Sequence, residues 1–163
     1  MGLIRIGQQF SDYFISEIKS RVSATGQRLT KADAFVRAWK LAQKGNFSFF
    51  DEIVHTDYES ENQGVSINKE LSKGVISGIG NLIIIGPHRT IYEDNNFLCF
   101  VRYSKVREDE LFGELISAVH YKDGKIIKNE TIREEIASDP SEGQDWNWDC
   151  LLYTSDAADD LLC

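Results

Sequence analysis

The period of the apolar pattern changes once along this chain, and that change restricts the fold more than any other feature. Phe10, Tyr13, Phe14, Ile18 and Val22 recur at helical spacing, which places them on one face of a first amphipathic helix. Ser23 to Gln27, with Gly26 inside it, breaks the pattern. Thr30 with Asp33 three residues on is an N-cap signature for a second helix presenting Phe35, Ala38, Trp39 and Ala42. Gly45 suits its left-handed C-terminal position, and Ser48 with Asp51 opens a short third helix carrying Phe50, Ile53 and Val54. A further helical turn fits Asn68 to Val75.

Beyond these helices the period becomes that of strands. Leu82 to Ile85 is a β-rich run closed by Gly86-Pro87, and Arg89 to Glu93 and Phe97 to Lys105 flank the turn-forming Asp94-Asn95-Asn96. Leu115 to Lys122 and Lys125 to Arg133 are joined by Asp123-Gly124, the pair best suited to a type I′ hairpin. Helices first and strands after define an α+β chain, three to four helices wrapped on a curved, mixed or antiparallel sheet.

The hairpin turn sets an expected register with Lys122 opposite Lys125, His120 opposite Ile127, Ala118 opposite Asn129 and Glu114 opposite Arg133. The alternate face would bury Lys128 and Glu130, a costly choice, so His120, Asn129 and Thr131 are expected to point inward. By the same pattern Tyr92, Cys99, Val101 and Tyr103 join them, and Leu98, Phe100 and Arg102 lie outside. An outer face mixing Leu and Phe with charge suits a homodimer.

Charge narrows the partners. With 18 basic and 26 acidic residues the formal net charge is −8, and the scattered Lys and Arg do not form the clustered patch that phosphate backbones require. Nucleic acid and anionic membrane surfaces are therefore not expected, whereas a small anion held locally by an Arg remains compatible. No apolar run approaches the roughly 20 residues of a membrane span, and the first residues do not read as a secretory leader, so the chain reads as cytoplasmic. The three cysteines, Cys99, Cys150 and Cys163, form no disulfide or zinc pattern. His55 and Asp57 have no third ligand near them, so no metal is expected.

From Cys150 the chain reads Cys-Leu-Leu-Tyr-Thr-Ser-Asp-Ala-Ala-Asp-Asp, which resembles one reading frame of a transposon-end adapter used in sequencing libraries. The resemblance implies a metagenomic assembly and a non-native tail over 150–163. The native unit is then a single domain over 1–149.

Three stretches resemble the SnoaL-like branch of the nuclear transport factor 2-like superfamily. They are Ala34-Phe35-Val36-Arg37-Ala38-Trp39 leading to Gly45-Asn46-Phe47; Phe50 through Tyr58; and His120-Tyr121-Lys122-Asp123-Gly124-Lys125-Ile126-Ile127. Together they cover roughly residues 30–136. The resemblance implies a cone-shaped α+β barrel whose mouth admits a small apolar molecule, as in polyketide cyclases, ketosteroid isomerase and limonene epoxide hydrolase. It aligns Glu61 with the proton-transferring acid of isomerase-like members. Where cyclases often carry Trp-Asp, this chain has Glu130-Thr131, and where epoxide hydrolases carry Arg-x-Asp it has Arg102-Tyr103-Ser104, which argues against epoxide hydrolysis.

Two functions follow. In the first, a cofactor-independent enzyme of isomerase or cyclase type moves a proton with Glu61 while His120 or a tyrosine stabilises the enolate oxygen, with Trp39, Tyr58, Tyr92, Tyr103, Asn129 and Thr131 lining the ligand. In the second, the same fold is a ligand-binding or dimerisation module without chemistry.

Overall fold

The computed structural model describes residues 29–149. The expected first helix and the adapter-like tail lie outside them. The described chain runs α1 (Lys31–Gln43), α2 (Ser48–Ile53), β1 (Val54–Asn62), β2 (Val65–Asn68), α3 (Lys69–Ile79), β3 (Ile83–Glu93), β4 (Phe97–Val106), β5 (Phe112–Lys122) and β6 (Lys125–Ile136).

The start of α1 is set as its sequence directs. Thr30 Oγ1 accepts from Asp33 N and the Asp33 carboxylate accepts from Thr30 N, a reciprocal capping box. Phe35, Ala38 and Ala42, fully buried on one side of the helix, pack it onto the sheet. Asn68 caps α3 by accepting from Leu71 N. This helix extends to Ile79, four residues past the expected turn.

The strands form one six-stranded mixed sheet in the order β2-β1-β6-β5-β4-β3. The β1–β6 pair is parallel and all other pairs are antiparallel. The sheet is not closed, and β2 and β3 are its edges. Gly86-Pro87 was expected to end a strand, yet β3 continues through it. Proline lacks a ladder donor, but on an edge strand that loss is tolerated, and a register irregularity between Ile85 and His88 takes up the distortion.

The hairpin turn forms as anticipated, with positive φ at both Asp123 and Gly124. Its register then departs from expectation. Tyr121 pairs with Ile126, but His120 pairs with Lys128 and Val119 with Asn129, because one extra residue of β6 is bulged beside the turn. A slip of one residue exchanges faces. Asn129 and Thr131 therefore share the helix-covered face with Val119 and Ser117, whereas His120 and Ala118 lie on the opposite face with Lys128 and Glu130. The same slip places Leu115, not Glu114, opposite Arg133.

The faces of β4 are likewise the reverse of those expected. Pairing of Leu98 with Val119 and of Phe100 with Ser117 turns Leu98, Phe100, Arg102 and Ser104 toward the helices. Leu98 and Phe100 are fully buried there, and the gain from sealing both side chains, roughly 2 kcal/mol each, outweighs keeping one arginine in water. Cys99, Val101 and Tyr103 face outward.

Candidate functional site

The helix-covered face of the central strands carries a row of buried polar side chains. Arg102 Nη1 donates to Ser117 Oγ at 3.0 Å, Ser117 Oγ lies 2.9 Å from Thr131 Oγ1, and Thr131 Oγ1 donates to Asn129 Oδ1 over a longer 3.4 Å. Read from the arginine, each hydroxyl accepts one bond and donates the next, crossing β4, β5 and β6 in order. Ser117 and Thr131 meet because they are direct cross-strand partners.

Arg102 is the unusual member of this row. It is only 7% exposed, and Phe35 and Phe100 lie with ring centroids each 5.2 Å from its guanidinium carbon. Burial brings its pKa down to about 10, opposed only by the nearby Tyr58; no carboxylate of the described residues offsets it. Ring contacts return about 0.5–2 kcal/mol, whereas burying an ion costs several kcal/mol. One hydroxyl and two rings therefore leave the charge undercompensated.

Tyr58 adds a second unused donor. Its ring packs edge-on against Trp39 and Phe50, at 6.5 and 6.2 Å between centroids. Its hydroxyl is enclosed and makes no hydrogen bond, the only such side-chain atom among the described residues. Burial raises its pKa; Ser60, Asn129 and the charge of Arg102 pull the other way without satisfying the hydroxyl at hydrogen-bonding geometry. Ser117 engages only Nη1 of the Arg102 guanidinium.

A third polar pair stands beside this row. His88, the cross-strand partner of Arg102, places Nε2 2.9 Å from Asp33 Oδ1 and sets its ring edge-on to Phe100. The His88 hydrogen bond, helped by those from Thr30 and opposed by burial, holds the Asp33 carboxyl down to about 2. Asp33 thus both caps α1 and ties it to β3.

The structure separates the sequence-derived site residues. Trp39, Tyr58, Asn129 and Thr131 lie in the helix-covered interior. Glu61 and His120 do not join them: Glu61 is the register partner of Glu130 and lies 3.4 Å from Lys128 Nζ, and His120 Nε2 lies 3.0 Å from Glu130 Oε2. These four form an ionic cluster on the outer face, and Lys128 first, then His120, holds the Glu130 carboxyl below its usual range. Tyr92 is exposed and donates to Asp94 Oδ2 at 3.0 Å, while Tyr103 stacks on Trp146 across the outer face. The inward expectation for His120, Tyr92 and Tyr103 is therefore corrected: the β5–β6 bulge puts His120 on the face opposite Asn129 and Thr131, Tyr103 shares that outer face through the β4–β5 pairing, and Tyr92 is exposed. His55 Nδ1 accepts from Asp57 N within its own strand, and no group of metal-ligating side chains occurs among the described residues.

Sequence reasoning missed Arg102, Ser117 and His88 as interior groups. The available signal was the alternation Leu98-x-Phe100-x-Arg102: the two fully buried apolar side chains of β4 carry the arginine inward with them.

No protein-family model and no curated protein matches the sequence. Solved structures do match the fold. An NTF2-like protein of unknown function from Cytophaga hutchinsonii superposes with a TM-score of 0.53 at 11% identity, over 66% of this chain and 93% of its own. A Rhodopseudomonas palustris protein named provisionally as an isomerase gives 0.51 at 8% identity, over 62% and 87% of the two chains. A loop-truncated variant of IdmH from Streptomyces antibioticus gives 0.51 at 12% identity, over 64% and 93%. The chain has the nuclear transport factor 2-like fold, and the described helices are too short to cross a membrane.

Proposed function

We propose that this chain is a small-molecule binding protein of SnoaL-like type, whose ligand sits against the helix-covered face of the sheet and is held by Arg102 and Tyr58. The carrying observation is that both side chains are buried with hydrogen-bonding capacity unused. Native proteins rarely leave buried donors idle, and those that do mark a site where another group completes them. Trp39, Phe35 and Phe100 make the surroundings of these donors apolar. Proton transfer by Glu61 with His120 has no support from the geometry, because both lie across the sheet from these donors.

The test is a thermal-shift screen of the full-length protein against small ketones, lactones and hydroxy acids. At least one class should raise the melting temperature in wild type and lose its effect in Tyr58→Phe. A flat response across every class would reject the reading.

A second reading, a cofactor-independent proton-transfer enzyme, is favoured by one contact. Asp33 holds His88 Nε2 at 2.9 Å, the arrangement that orients an imidazole and leaves Nδ1 as the base. Here His88→Gln should abolish turnover of any ligand found while sparing its binding; unchanged turnover excludes it.

The opposite face supports self-association. Val101, Ile116 and Ile132 are successive cross-strand partners, and Ile116 and Ile132 are 38% and 63% exposed. A second copy of the chain is the occupant that this apolar stripe fits.

A further inference from the structure

We propose that the ligand is a small organic acid with a flat apolar body, and that Arg102 is the counter-ion of its carboxylate. The inference rests on the binding reading above and specifies its chemistry.

Three observations converge. Among the described residues Arg102 has no acidic partner, and its single hydrogen bond goes to the neutral hydroxyl of Ser117. The row beyond Ser117 ends on the Asn129 amide, so it relays hydrogen bonds without supplying negative charge. Asp33, on the helix covering this face, is occupied by Thr30 and His88. A planar guanidinium matches a carboxylate with paired donors, and of its nitrogens the described residues engage only Nη1. The Tyr58 hydroxyl, buried without a hydrogen bond, supplies a further donor.

Charge balance selects the class of anion. The single cation of this polar row, Arg102, neutralises one negative charge, which fits a monocarboxylate and leaves a phosphate dianion half uncompensated. A neutral ketone or amide would leave the guanidinium charge as it stands. The surroundings select the body: beside Arg102, Phe35 and Trp39 stack at 3.7 Å between centroids, and Phe100 meets Phe35 edge-on at 5.0 Å. Such aromatic surroundings favour a planar or aliphatic apolar group.

The experiment compares matched pairs on the full-length protein by calorimetry and thermal shift: benzoate, 1-naphthoate and octanoate against benzamide, 1-naphthamide and octanamide. At least one acid should bind about tenfold or more tightly than its amide, as expected for a charge-assisted contact. Arg102→Met should abolish that preference and, without ligand, melt about 3 °C or more above wild type, since an uncompensated interior charge is removed. Tyr58→Phe, which keeps the ring, should weaken acid binding about tenfold while folding normally.

Amides binding as tightly as acids, or an acid preference that survives Arg102→Met, overturns the counter-ion assignment and leaves the binding reading intact. Failure of every acid to bind also overturns it, whatever the melting temperature. Failure of acids and amides alike removes the binding reading as well.

Discussion

At the level of single residues, the identity of a side chain matters less than the face its strand turns inward. Glu61 and His120 have suitable chemistry for proton transfer, but their partners are Lys128 and Glu130 in a half-exposed ionic cluster. Such pairs contribute at most about 1 kcal/mol. Glu61→Gln and His120→Gln should therefore leave ligand binding unchanged and alter stability by less than that, as chemical denaturation would show. Asp33 is different. Its carboxyl ionises near pH 2 when folded against 3.8 ordinarily, so its stabilising effect is complete above about pH 4 and disappears as pH falls through 2. The nominal gain, about 2 kcal/mol, is halved to about 1 kcal/mol by partial exposure. Urea titrations from pH 5 to pH 2 should show wild type losing this increment and Asp33→Asn lacking the loss. The cap was readable from Thr30 and Asp33, whereas the bond to His88 joins residues 55 apart and leaves no local pattern.

At the level of elements, periodicity located α1, α2, the β5–β6 turn and most of β3 to β6. It failed where one residue decides a register. The Asp123-Gly124 turn was legible because its backbone demands left-handed conformations, but the adjacent bulge on β6 is not encoded by any local residue that requires it. It is selected by the sealed packing of Val119, Phe100 and Leu98 against Phe35, a tertiary gain that overrides the ideal hairpin. The same blindness covers Gly80. Here α3 ends against α1 so closely that a Cβ on Gly80 would stand 2.3 Å from the carbonyl oxygen of Gln43. Backbone cannot swing aside as a side chain can. Gly80→Ala should cost about 2 kcal/mol or more, measured as a lower urea midpoint with unchanged slope; a midpoint like that of wild type would show that the two helices are not held at this distance.

At the level of the molecule, the sheet has two unlike faces. One is sealed by the helices around Phe35, Trp39 and Phe100, and this is where the buried donors lie. The other is only partly covered: Trp146 and Trp148, from the segment after β6, pack with Ile84, Phe112 and Tyr103, with Asp139 accepting from Trp148 Nε1 at 3.0 Å. Gly86 gives these indoles room, since a Cβ there would meet both at 3.0–3.2 Å. That cover leaves Ile116 and Ile132 in solvent, side by side on paired strands. Exposed apolar residues are common singly, but a stripe crossing neighbouring strands is what a self-complementary interface uses, since a two-fold axis would bring the stripe onto itself. The reading requires an interface of at least about 1,000 Å² in total, so the flanking charges must take part as its rim. Ile132→Glu places a carboxylate in the centre of that contact and, at 63% exposure, perturbs little within the monomer. Sedimentation equilibrium should therefore find wild type dimeric at micromolar concentration and the variant monomeric, with melting temperatures close when both are measured at dilution. A monomeric wild type, or a variant that remains dimeric, would mean that the stripe does not join two copies.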